Sequence, residues 1–166
     1  MNVPYNYLPM EFRRSNKILS HWKKLIQSTD FTLGKYMVEF EKKFAKYIGA
    51  KYVISTNNGT DALILSLKSI GVKKGDEVIT VSNTFYASAG AIVACGAKPI
   101  LVDCDDRYQI DIKEIKKKIN KKTKAIMPVH WGGASPDMFS IMKLAEKYKI
   151  HVVEDACMGI GAKING

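Results

Sequence analysis

Over the first fifty residues the apolar positions recur at helical spacing; from Tyr52 onward short β-prone runs alternate with helical ones. The spacing predicts a helix over 18–27 and another over 35–48, where Met37, Phe40, Phe44, Tyr47 and Ile48 recur until Gly49 ends it. Residues 52–56 read as a short strand, and 60–69 as a helix with Leu63, Leu67 and Ile70 on one face. Further strands are predicted at 77–81, 99–103, 124–129 and 150–154, with a helix at 85–95 between the first two. Asp111 with Glu114 forms a capping box ahead of Ile112, Ile115 and Ile119. Ser135 before Pro136 places a proline at the first helical position, leading into Met138, Ile141, Met142 and Ala145.

Strands of about five residues alternating with helices of about ten argue for βα units. Compact β-branched strands suit a mostly parallel sheet covered by helices on both faces. The predicted class is therefore α/β, with residues 1–50 as a helical lead-in and 51–166 as the sheet domain. Asn165-Gly166 is a hairpin-turn signal with no returning strand after it, which predicts a chain truncated at that turn.

At 166 residues with 46% hydrophobic content, the chain can bury one real core. No apolar run approaches the length of a bilayer span, and no apolar segment follows the charged start as a secretory signal would. Cys95, Cys104 and Cys157 are odd in number and widely spaced, so they read as reduced thiols of a cytoplasmic protein. The 26 Lys and Arg against 16 Asp and Glu leave a net charge of +10. Seven lysines between Lys113 and Lys124 contribute much of it, around a helix whose charged face is solvated. Nucleic-acid binding would join such a patch to stacking aromatics or a recognised module, and neither is present.

Ligands of open α/β sheets sit beyond the carboxyl ends of the strands. At the first such end, Asn57-Asn58-Gly59-Thr60-Asp61 is either an ordinary N-cap turn or an anion cradle built from free amides and the Thr60 hydroxyl. Neither GxGxxG nor a P-loop is present. Phe85 and Tyr86 either stack on a flat heterocycle or plug the sheet. Asp155, just past an apolar strand, either caps the next turn or holds a protonated ring nitrogen, since a buried carboxylate needs a partner. His130, before Trp131-Gly132-Gly133, is a base, a substrate donor or a structural histidine. No second His or Cys stands at ligand spacing from it, so no metal is expected.

In fixed order the chain carries Gly34…Phe40-Glu41, Asn58-Gly59-Thr60-Asp61-Ala62-Leu63 and Gly75-Asp76-Glu77-Val78-Ile79. Then follow Asn83-Thr84-Phe85-Tyr86-Ala87, Gly96-Ala97-Lys98-Pro99, Pro128-Val129-His130 and Glu154-Asp155-Ala156. This series resembles the amino-terminal part of the DegT/DnrJ/EryC1/StrS sugar aminotransferases. The resemblance implies the large domain of a fold-type-I transferase dependent on pyridoxal 5′-phosphate (PLP), with the rest of that domain and a small domain absent. It places Gly59, Thr60 and Asp61 at the cofactor phosphate, Phe85 on the pyridine ring and Asp155 at the pyridinium nitrogen. Met158 stands where the family usually has Gln or His near the cofactor's 3-oxygen, and a thioether cannot donate a hydrogen bond. The resemblance gives His130 no firm role and puts the Schiff-base lysine beyond residue 166. It further implies a homodimer that moves an amino group, with L-glutamate as donor, to a nucleotide-linked keto-sugar. A pyridoxamine-dependent sugar dehydratase, with histidine for that lysine, and a non-catalytic binding or regulatory relative are the alternatives.

Overall fold

The computed structural model describes residues 8–164, and the Asn165-Gly166 turn signal lies outside them. The chain divides into two compact units, at Ser55 and Thr56. The first holds helix α1 (Leu8–Glu11), a 3-10 turn over Phe12–Arg14, α2 (Ser15–Ser28) and α3 (Lys35–Ile48). The α2 helix is longer than the 18–27 stretch that the apolar positions mark, because the polar residues at both ends continue the same helical backbone. Asp30 starts α3, its carboxylate accepting from the Lys35 N–H at 2.9 Å. Gly49 ends it in the left-handed conformation, at φ 72°. Phe40 and Phe44 stack along one face of α3, with ring centroids 5.4 Å apart.

Residues 52–56, expected as a strand, form none: Tyr52 and Ile54 are exposed, at 74% and 78%. β-propensity creates a strand only where a neighbouring strand accepts its ladder, and none among the described residues pairs with this segment.

The second unit is a parallel sheet in the order β2-β1-β3-β4, formed by β1 (Glu77–Val81), β2 (Lys98–Val102), β3 (Thr123–Met127) and β4 (His151–Val152). Helices α4 (Gly59–Ser69), α5 (Tyr86–Ala94), α6 (Ile112–Lys118) and α7 (Met138–Tyr148) cover it. Alternate strand residues face opposite ways, and the core is divided accordingly. Val78, Ala125 and Met127 pack with Leu63 and Leu67 of α4 and Ala91 and Ile92 of α5. Ile79, Val81 and Ile126 pack with Ile115 of α6 and with Ile141 and Leu144 of α7. Both faces of β1 and β3 are thus dry, which is why these strands read as near-continuous apolar runs, whereas the edge strand β2 leaves Leu101 exposed. Thr80 and Thr123 are the buried polar residues of β1 and β3; the Thr80 hydroxyl donates to the Met127 carbonyl at 2.8 Å across the β1–β3 pair. Pro99, which has no N–H to donate, is tolerated because β2 is an edge strand.

β3 and β4 are shorter than the expected 124–129 and 150–154, and Pro128 is the cause. It lacks an N–H, so the regular ladder breaks there. Pairing resumes as an isolated bridge between Val129 and Asp155. The capping box at Asp111 forms by half: its carboxylate accepts from the Lys113 N–H, but Glu114 turns away to pair with Lys117. The helix expected from Ser135-Pro136 begins later. Asp137 is its N-cap, accepting from the Ser140 N–H at 3.1 Å, because its side chain can take an amide that proline's ring cannot. No helix of the described residues is long and apolar enough to cross a membrane.

Candidate active site

Beyond the carboxyl ends of the strands lies a cavity of about 380 Å³, a size suited to a small ligand. Its walls include Asn58, Gly59 and Thr60 at the start of α4, Phe85 before α5, Trp131 after β3, and Asp155, Cys157 and Met158 after β4. Gly59, Thr60, Phe85, Asp155 and Met158 are therefore brought together across a separation of about a hundred residues.

The α4 end is held by a reciprocal side-chain clamp. Asn58 accepts from the Asp61 N–H at 2.9 Å, and its amide donates to the Asp61 carboxylate at 3.1 Å. Asp61 is thereby engaged in the cap and does not line the cavity. The amides of Gly59 and Thr60, and the Thr60 hydroxyl, have no partner among the described residues. Free amides at the positive end of a helix are donors for an anion. Gly59 is needed for close packing as well: a Cβ there would lie 3.0 Å from the Cys157 sulfur.

Asp155 is buried, at 7% exposure. Its backbone continues the broken ladder: its N–H donates to the Pro128 carbonyl at 2.9 Å, and its carbonyl accepts from the His130 N–H at 3.0 Å. Its carboxylate accepts from the Ser88 hydroxyl at 2.8 Å, and at 3.4 Å from the Cys157 amide. Burial, then the neighbouring Asp155 carboxylate, push the Cys157 thiol above its ordinary value, so it stays a neutral thiol at neutral pH. Phe85 is 58% exposed and its ring sits 4.2 Å from that of Tyr86, centroid to centroid. A flat aromatic face is left available at the cavity wall.

His130 does not line the cavity. It lies buried beside the Asp155–Gly159 segment, where a Cβ on residue 159 would come within 2.9 Å of its own Cβ. Its Nε2 is 2.9 Å from Glu154 Oε2, a short polar contact without the alignment of a hydrogen bond. The His130 contact holds the Glu154 carboxyl below its ordinary value, outweighing the rise from burial. This placement favours the structural role for His130.

Thr84, Trp131 and Cys157 lie in strand-end segments that the sequence marks as candidates, though with no role of their own, and Ser88 lies outside those segments. Only Thr84 and Ser88 left a further signal, hydroxyls four apart across a strand-to-helix junction. The donor set fits a phosphorylated pyridine: free amides for a phosphate, an aromatic face for a ring and a buried carboxylate for a ring N–H.

A parallel sheet with a buried acid and free helix amides on one cavity is an α/β architecture with its cavity beyond the strand ends. The chain belongs to the DegT/DnrJ/EryC1/StrS aminotransferase family, whose pattern it matches over residues 13–166. It is 46% identical over 136 residues to GDP-perosamine synthase of Caulobacter vibrioides, covering 81% of this chain and 37% of that protein. It is 40% identical over 168 residues to the pleiotropic regulatory protein of Geobacillus stearothermophilus, covering 100% of this chain and 45% of that one. Among solved structures it resembles NtdA of Bacillus subtilis with bound cofactor PMP, at TM-score 0.87 and 40% identity, over 89% of this chain and 34% of that one. The chain thus spans less than half the length of these relatives.

Proposed function

We propose that the whole protein is a PLP-dependent aminotransferase that carries an amino group from L-glutamate to a nucleotide-linked keto-sugar, working as a cytoplasmic homodimer. The observation that carries this reading is the buried Asp155 carboxylate sharing one cavity with the free amides of Gly59 and Thr60. Gly59 and Thr60 hold the phosphate, Phe85 stacks on the ring, and Asp155 keeps a proton on the ring nitrogen. When bound, PLP supplies the electron sink that stabilises negative charge at the reacting carbon. Met158 closes the cavity wall with an apolar thioether and donates no hydrogen bond. Asp61 acts through the cap that orients the two amides. The lysine that completes the site is expected beyond Gly166, and a sugar-nucleotide substrate is supported by the GDP-perosamine synthase relative.

The test is the absorption spectrum of the full-length protein with PLP, before and after L-glutamate. Replacement of the bound PLP absorption by that of pyridoxamine phosphate supports transamination. Tight binding of pyridoxamine phosphate without that half-reaction moves the reading to a sugar dehydratase. Binding of neither form leaves a non-catalytic relative, the reading closest to the name of the Geobacillus protein.

A further inference from the structure

Ser88 sits on α5 with no exposed surface, and its hydroxyl donates to Asp155 Oδ2 at 2.8 Å. The Thr84 hydroxyl is 2.8 Å from the Ser88 hydroxyl. By distance alone either hydroxyl is the donor. An ionised carboxylate only accepts, however, and serine has one hydroxyl proton. With that proton committed to Asp155, Thr84 must donate to Ser88. The order of protons is therefore fixed, from Thr84 to Ser88 to Asp155.

We infer that Ser88, backed by Thr84, is a positioning residue that fixes the Asp155 carboxylate for the ring nitrogen of the cofactor. Ser88 does not line the cavity and so acts only through Asp155. A hydroxyl aimed at a carboxylate stabilises the anion and fixes its plane, and a second hydroxyl behind it polarises the first. The Thr84–Ser88 pair occupies Oδ2, whereas among the described residues Oδ1 has only the 3.4 Å approach of the Cys157 amide. Oδ1 is thus the oxygen with capacity to accept the ring N–H. This role rests on the PLP reading above.

The test uses the full-length protein and pyridoxamine phosphate labelled with 15N at the ring nitrogen. Dissociation constants and the bound 15N resonance are measured for wild type, Ser88→Ala, Thr84→Val and the double variant. Ser88→Ala is expected to weaken binding roughly ten- to hundredfold and to move the resonance toward that of unprotonated pyridine. Thr84→Val, which keeps its volume, should move it the same way by less. In the 15N resonance the double variant should match Ser88→Ala, since Thr84 reaches Asp155 through Ser88; Thr84 also lines the cavity, so the resonance and not the affinity carries this comparison. A resonance unmoved in Ser88→Ala overturns the inference even if affinity falls, because lost packing alone does not change ring protonation. Should Ser88→Ala fail to fold, an unmoved resonance in Thr84→Val overturns it equally. Wild-type protein that binds no pyridoxamine phosphate overturns the cofactor reading and this role with it. Normal wild-type binding with indifferent variants removes the Ser88 role alone.

Discussion

Asp155 and His130 are joined by a backbone hydrogen bond of 3.0 Å, one of the two that rejoin the chain segments after β3 and β4 beyond the break at Pro128. That bond places the acid at the cavity and the imidazole behind it. The His130 ring fills the space under the Asp155–Gly159 segment that only a glycine at 159 leaves open.

Gly159→Ala should therefore be costly for steric reasons. Its Cβ would meet the His130 Cβ and ring at 2.9–3.2 Å, an overpacking worth ~1–3 kcal/mol. Urea unfolding of the full-length protein measures it. His130→Ala in the same chain should recover part of the loss; a double variant no better than Gly159→Ala would place the strain elsewhere.

Glu154 gives a pH dependence with a definite sign. Its native carboxyl is held below the ordinary value of 4.5. The stabilisation is present above that value and is lost as pH falls through the lower native one. Glu154→Gln should lower stability slightly near neutrality and flatten the acid side of the profile, so that the two proteins converge as pH falls below the native value. Its half-exposed carboxyl keeps the effect small. Equal slopes for both proteins between pH 3 and 5 would argue against it.

Asn58→Ala removes both halves of the α4 clamp. A lost N-cap costs ~1 kcal/mol, and the amides of Gly59 and Thr60 lose their fixed direction. Thermal unfolding reads the first effect and inorganic phosphate affinity the second. Both should fall together.

Thr60→Val should separate these two effects. The Thr60 hydroxyl makes no bond within the described residues, and valine keeps the branched shape. Stability should hold within ~0.5 kcal/mol, while PLP affinity drops about tenfold. An unchanged affinity, measured by equilibrium dialysis, would take the hydroxyl off the phosphate.

Much of the fold was legible because local pattern and tertiary demand agree. β1 and α3 have the bounds that apolar spacing gives, and burial on both faces explains the apolar runs of β1 and β3. The run at 52–56 misled because a strand is a property of two segments, and the neighbour is not encoded in the run itself. Ser135-Pro136 misled because Asp137 competes better for the first free amide.

The sequence by itself determined the alternation of strand and helix, the family, and the residue types that can meet a phosphate, a ring and a ring nitrogen. Those follow from local spacing and from the chemistry of single side chains. Only the tertiary structure decided that Asp61 serves the cap, that His130 supports the wall from behind, and that Ser88 reaches Asp155 from 67 positions away. Such contacts depend on how α5, packed on α4, β1 and β2, meets the segment that follows β4. Long-range packing sets distances that no local period in the chain records.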